Sequence, residues 1–209
     1  MRSYRQYCGL ARGLDLIGDR WVLLIVRELL PGPRRYGELL DGLPGIATNL
    51  LAERLRSMED NGLVTKGDDD RYRLTERGEG LRDVVYAIGR WAYPLMGAMA
   101  PDEAFRGHWI AHPIGALFPG EDDTRPELTI EVRCGDESMT VRSSGGRVTV
   151  LAGPASAPDL VLTGPPDAIV GLFARRIGVD EAKARGVAIT GDPRRLRKLR
   201  PLVPATARP

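Results

Sequence analysis

A chain of 209 residues with 43% hydrophobic content has room for two compact units of roughly 100 residues, each with its own core. Its formal net charge of +2 excludes wholesale electrostatic capture by nucleic acid or by an anionic membrane, so any basic site must be local. Two cysteines, Cys8 and Cys134, are too few for a disulfide scaffold, and the apolar run from Trp21 to Leu30 is interrupted by Arg27 and Glu28; with no signal pattern in the polar start, a cytoplasmic protein without a membrane partner is expected.

Residues 1–100 read mostly as helix. Leu10, Leu14 and Ile17 are spaced by four and three, and "GDRWVLLIVRELL" continues with Val22, Ile25, Val26, Leu29 and Leu30 on one broad apolar side. "PGP" at 31–33 ends that helix. A short helix, "RRYGELLDGL", follows, and Pro44-Gly45 breaks the chain again. In "GIATNLLAERLRSMEDNGLV", residues 45–64, Leu51, Leu55 and Met58 fall within about one third of a helical circumference, while Asn49, Glu53, Arg56 and Asp60 lie opposite. Asn61-Gly62 is a left-handed stop. Residues 63–74 then form a hairpin turning at "KGDDDR", and Thr75 caps a long helix from Glu76 to about Ala100, with Pro94 and Gly97 weakening its end.

The texture changes after a proline-punctuated segment between Met99 and Glu127 that carries "HWIAHPIGALF". Apolar residues alternate at Leu128, Ile130 and Val132, at Met139 and Val141, and at Val148 and Val150, with Gly-Asp and Gly-Gly turns between them: an antiparallel meander. "LVL" at 160–162 is a fourth strand. Pro165-Pro166-Asp167 opens a helix with Ile169, Leu172, Phe173 and Ile177 on one face, and "VAIT" is a fifth strand before a terminal helix, "GDPRRLRKLRPL". The expected organisation is a mainly α domain over 1–100 and an α+β domain over 101–209, its antiparallel-rich sheet covered by helices on one face.

Helix, short helix, turn, helix and hairpin is the order of a winged helix-turn-helix, in which the second helix of the pair enters the major groove of double-stranded DNA. On that expectation Thr48 and Asn49 reach base edges, Ala52 lets the surface approach, and Arg56 reaches a base or phosphate. Arg34 and Arg35 stand at the N-terminal end of the preceding helix, where charge and free N–H groups favour a phosphate. Lys66 and Arg71, with Arg73, position the hairpin on the backbone. Arg54 points to the flank of the apolar face and reads as structural. An outer polar face is also what any amphipathic surface helix shows; the order of elements around it favours DNA. Residues 1–100 hold 15 Lys+Arg against 14 Asp+Glu, so affinity must come from patterned charge, with marked salt sensitivity and a modest nonspecific component. Asp68, Asp69 and Asp70 repel phosphates and argue against a hairpin tip lying deep against DNA.

The stretch "ARGLDLIGDRWVLLIVRELLPGPRRYGELLDGLPGIATNLLAERLRSMEDNGLV", followed by "YRLTERG", resembles the HxlR-type (MarR-like) winged helix-turn-helix transcriptional regulators, over roughly residues 7–95. The resemblance implies a homodimer formed by the first and last helices of this region on a partly palindromic operator. Leu10, Leu14, Trp91 and Leu95 are the candidate dimer residues, their alternative being intramolecular core. Family members often carry Ser where this chain has Ala47, so Thr48 becomes the candidate cap, less free to read bases. Cys8 corresponds to the cysteine of thiol-sensing relatives; its alternative is that of a buried small hydrophobe.

The second half resembles a sterol-carrier-type domain over about residues 102–203, the strand-Gly-Asp-helix ending being its best feature. That resemblance implies an apolar ligand between sheet and helices, with Trp109, Phe118, Leu160, Leu172 and Phe173 as candidate lining; a filled core is the alternative, because periodicity does not distinguish a lined cavity from a packed one. His108 and His112 have helical metal-pair spacing but no third ligand nearby, so no metal is expected. No phosphate loop, nucleophile elbow or carboxylate pair argues for catalysis. The expectation is a regulator, more readily a repressor, with no enzymatic activity and no cofactor, its effector a hydrophobic small molecule. The alternatives are a thiol-sensing regulator acting through Cys8, and a hydrophobic-ligand carrier whose first half only dimerises.

Overall fold

The computed structural model describes residues 3–95, 100 and 102–201. These form two compact units that divide between Val85 and Tyr86. The domain boundary expected at 100/101, the far end of the helix expected to reach Ala100, Gly97 and Leu202 fall on or beside residues outside that description. No described helix is long and apolar enough to cross a membrane.

The first unit begins with α1 (Gly9–Ile17) and α2 (Val22–Leu29). The sequence reads these as one continuous apolar helix, but the chain turns at Gly18, whose N–H caps the Leu14 carbonyl at 2.9 Å. Two residues, Arg34–Arg35, form β1 and precede α3 (Tyr36–Asp41). The short helix therefore starts two residues later than expected. Then come α4 (Thr48–Asp60), β2 (Val64–Lys66) and β3 (Arg71–Leu74). The hairpin gains a third strand, in the order β1-β3-β2, with Arg35 paired to Arg71. Leu51, Leu55 and Met58 of α4 join Ile25, Val26 and Leu29 of α2 and Leu39 of α3 in one buried cluster.

Thr75 caps as expected, its Oγ1 accepting from the Gly78 N–H at 3.1 Å, but the helix it opens, α5 (Glu76–Glu79), is a single turn. After Gly80 the chain restarts as α6 (Arg82–Ala92), followed by a 3-10 turn at Tyr93–Leu95. The expected long helix is thus broken at its start. Gly78 is closely packed, since a Cβ there would run into the Leu63 carbonyl, and Gly80 is the C-cap of α5; a continuous helix would favour Ala at both positions.

In the second unit a 3-10 turn (Gly107–Ile110) runs into α7 (Ala111–Ala116). The meander follows as β4 (Leu128–Cys134), β5 (Glu137–Ser144) and β6 (Arg147–Ala152). β7 (Leu160–Thr163) returns to the far side of β4 and pairs with it in parallel. α8 (Pro166–Phe173), α9 (Val179–Ala184) and β8 (Ala188–Gly191) complete a sheet in the order β6-β5-β4-β7-β8. Register puts Ile130 between Val141 and Leu160, and Val132 between Met139 and Leu162. One face of the sheet thereby carries the core with Ile114, Ile169 and Phe173.

Two expected helices differ. α8 stops before Ile177 because Arg175 takes a left-handed φ of 56°, and the Arg176 N–H reaches the Gly171 carbonyl at 2.9 Å while that of Arg175 reaches Leu172 at 3.2 Å, a Schellman closure. The terminal helix is, among the described residues, a 3-10 turn at Leu196–Lys198. The spacing of three between the buried Leu196 and Leu199 suits that tighter turn, and Pro193 and Pro201 flank it.

Gly78→Ala is expected to lower the unfolding free energy by about 1–3 kcal/mol, read as a shifted urea midpoint. An unchanged midpoint would show that the α5 turn relaxes freely.

Candidate nucleic-acid interface

The α4 helix owes its orientation to its apolar edge. With Leu51, Leu55 and Met58 sealed inward, Thr48, Asn49, Glu53 and Arg56 are exposed and Ala52 is half-buried. The start of the helix is held by α3: the Tyr36 hydroxyl donates to the Thr48 carbonyl at 2.6 Å. The N-cap is Ala47, extended at φ −76° and ψ 144°, with no side-chain cap. Thr48 is the first helical residue and not the cap, contrary to expectation, so its hydroxyl is not spent on the helix's own backbone. Among the described residues no side chain caps the first turn of α4, an arrangement that favours an anion.

The middle of the helix is pinned through Arg54. It lies 2.7 Å from Asp19, between α1 and α2, and 2.9 Å from Glu53, with only 19% of its side chain exposed. This is the structural role expected of it, and it also neutralises the one acid on the middle of the outer face. Arg56 makes a single bond, Nε to the Ala52 carbonyl at 3.3 Å, and extends outward.

Around α4 the cations divide into two classes. Arg35 is exposed and Arg34 half-buried, both on β1. Arg35 lines an open hollow of about 410 Å³ with Tyr36, Gly37, Lys66 and Asp70. The hairpin cations are engaged: Lys66 with Asp70 at 2.8 Å, Arg73 with Asp69 at 2.7 Å, and Arg71 with the Pro33 carbonyl at 3.2 Å and Glu38 at 3.6 Å. The hydrogen bond and charge of Lys66, with Arg35 adding, hold the Asp70 carboxyl below the usual carboxylate range. Sequence reading missed Tyr36 and Asp19, whose partners lie 12 and 35 positions away and leave no local signal, and Glu38, which accepts from the Arg35 N–H at 2.6 Å and lies 3.6 Å from Arg71.

The remaining candidates fall elsewhere. Leu10 and Leu14 on α1, and Trp91 and Leu95 at and beyond the end of α6, are exposed, Trp91 and Leu95 each by 76%. Val84 and Ile88 extend the apolar stripe on α6. Cys8 is an exposed free thiol at the N-cap of α1. Cys134 is buried, and burial, with Glu137 nearby, pushes its thiol up to about 11, which makes it inert.

Of the expected ligand lining, Phe118, Leu160, Leu172 and Phe173 are packed in the second unit's core, Phe118 meeting Phe173 edge to face at 6.5 Å. Trp109 is half-buried against Phe105. An open hollow of about 470 Å³ in this unit is lined instead by residues that include Phe105, Arg106, Glu137 and Pro165. His108 Nδ1 lies 2.5 Å from Glu137, and no group of three metal-ligating side chains occurs among the described residues.

Known proteins match the first half of the chain. The HxlR-like helix-turn-helix family matches residues 16–99. The helix-turn-helix-type transcriptional regulator sll1512 of Synechocystis is 37% identical over 39% of this chain and 64% of its own length. The corresponding Bacillus subtilis regulator YvaP is 33% identical over 39% of this chain and 81% of its own length. Less than two thirds of the Synechocystis relative is therefore spanned. The crystal structure of quinone-bound YodB from B. subtilis is 36% identical, over 40% of this chain and 94% of that one, with a TM-score of 0.38.

Proposed function

Because the chain belongs to the HxlR-like helix-turn-helix family of transcriptional regulators, we propose that it is a DNA-binding regulator, acting as a repressor, that reads its operator with the outer face of α4. The observation that supports this is the exposed set Thr48, Asn49 and Arg56, displayed by a helix whose opposite edge is fully buried. Asn49 and Arg56 have the donor and acceptor patterns that pair with adenine and guanine edges in the major groove. Ala52 keeps the approach open, and Arg34 and Arg35 offer charge to phosphates beside the reading helix. Lys66 and Arg71 join them only by exchanging their present partners. The reading domain is proposed over residues 1–100 and the second domain over 101–209, a boundary 15 residues beyond the division of the compact units between Val85 and Tyr86.

Leu10 and Leu14 in the first unit, and Trp91 and Leu95 in the second, are the exposed residues through which we expect a second copy to bind. Large apolar side chains at this exposure mark an interaction face, and two half-sites of an operator call for two reading helices. The second unit has the five-stranded sheet and helices that a sterol-carrier-type domain would need, and on that resemblance it receives a hydrophobic small molecule. Phe118, Leu160, Leu172 and Phe173 are closely packed, so a ligand entering near Trp109 must part side chains now in contact, and it would act by favouring one arrangement of the dimer over another. A second reading places sensing at Cys8, favoured by its exposed thiol at a helix start.

Asn49→Ala and Arg56→Ala are each expected to reduce the preference for operator over mixed-sequence DNA, a bidentate base contact being worth about 1–3 kcal/mol. Gel shifts on DNA upstream of the chain's own gene read this. Equal discrimination by both variants and the parent would refute the reading, and an absence of any sequence preference in the parent would favour a carrier. Native mass spectrometry should give twice the chain mass plus a co-purifying apolar molecule, with Trp91→Ser shifting the population to monomer; a bare dimer counts against the effector, and a bare monomer against both. Cys8→Ser is expected to regulate like the parent under oxidants and electrophiles. Loss of an oxidant response in that variant would instead establish the thiol sensor.

A further inference from the structure

The hairpin of the first unit carries as many acids as bases. Lys66, Arg71 and Arg73 stand on its strands, and Asp68, Asp69 and Asp70 form its three-residue loop. The loop is closed by the Asp70 N–H donating to the Gly67 carbonyl at 3.0 Å and the Gly67 N–H to the Arg71 carbonyl at 2.9 Å. Asp70 holds φ at 60°, a left-handed position that Gly fills most easily in such loops and that Asn and Asp tolerate. That backbone turn brings the Asp70 carboxylate back to Lys66 at 2.8 Å, while Asp69 meets Arg73 at 2.7 Å and accepts from the Arg71 N–H at 3.3 Å. Asp68 forms no ion pair among the described residues. In the hollow between β1 and the hairpin, Lys66 and Arg35 therefore face a carboxylate of the chain itself.

We propose that Asp69 and Asp70 are built-in counter-ions of the hairpin, holding Lys66 and Arg73 in ion pairs that a DNA phosphate must displace. The hairpin then contributes little to sequence-independent binding, and choice of operator is left to α4. This rests on the DNA-binding reading above. The physical basis is ion exchange. A lysine that moves from solvent to a phosphate releases a cation from the DNA, which is the source of nonspecific affinity and of its salt dependence. A lysine that moves from a carboxylate to a phosphate leaves an acid that gathers a cation in turn, so the gain is largely cancelled. Exposed pairs of this kind are weak enough to be exchanged, which makes the hairpin a restraint and not a barrier.

The test measures binding of the full chain to a mixed-sequence duplex across a salt series. Asp70→Asn and Asp69→Asn remove the charge without a change of shape, and Asn keeps the left-handed turn at 70. Each is expected to tighten binding about two- to fivefold and to steepen the dependence of log affinity on log salt by up to about 0.9. Asp68→Asn, which removes the same charge from the same loop, is expected to change neither beyond a small common offset. Parental affinity and slope in the Asp69 and Asp70 variants would overturn the proposal alone, as would an equal gain in Asp68→Asn, which would reduce the effect to bulk charge. A parent that binds no duplex at low salt would overturn the regulator reading and this proposal together.

Discussion

The first unit depends on the burial of one edge of α4. Leu51, Leu55 and Met58 are each at most 2% exposed, and a fully buried side chain of this size contributes about 1.5–3 kcal/mol. Rotating the helix by a single residue would draw Ala52 and Arg56 inward and push Leu51 and Leu55 out. That alternative loses most of the apolar gain and strands a guanidinium away from water. The orientation of Asn49 and Arg56 is therefore not a local property of those residues. It is the complement of the leucine edge, made exact by the Tyr36 bond at one end of the helix and the Arg54–Asp19 pair along its flank.

Charge in this unit is handled pair by pair. Glu28 is 1% exposed and lies 2.8 Å from Arg27, which also donates to the Gly42 carbonyl at 3.2 Å, so the buried acid at the end of α2 joins that helix to the turn after α3. Arg54, Arg71 and Arg73 are each held by acids of neighbouring elements. Arg35 and Arg56 are exposed cations beside α4 that form no ion pair among the described residues. A near-neutral domain can thus present a small, placed positive surface without the field that would fix it to any polyanion.

The second unit is organised on a different constraint. Its sheet is antiparallel from β4 to β6, but β7 joins β4 in parallel, so the chain must cross from one edge of the meander to the other before α8 covers the core. The buried Arg125 secures the approach to β4, donating to the Pro119, Gly120 and Gly146 carbonyls at 3.1, 2.8 and 2.8 Å. Phe118 and Phe173 close the interior. Any apolar guest in this interior competes with the buried side chains of the core.

Periodicity along the chain was sufficient to place α2, α4, the hairpin, β4 to β8 and the start of α8, because a helix or strand with one buried face repeats its apolar residues at an interval that needs no knowledge of its neighbours. The exposed face of α4 was legible for the same reason. The order of elements and the candidate roles of Arg34, Arg35 and Arg56 followed from the same pattern, and the family motif added the expected homodimer and the correspondence of Cys8. What periodicity did not carry was every feature set by a distant partner. Gly18 ends α1 and Gly80 ends α5 where continuous helices were expected, and at Gly78, within α5, the Leu63 carbonyl passes where a Cβ would sit. Arg34 and Arg35 read as helix and became a strand because Tyr72 and Arg71 offered backbone pairing. β7 entered the sheet beside β4, and the terminal segment shortened to one turn between prolines. The state of Lys66 and Arg73 also belongs to this group: composition counts their charges, but only the folded hairpin decides that Asp70 and Asp69 already hold them. Local sequence sets which residues face inward; contacts between residues far apart in the chain set which of the outward ones are left free to act.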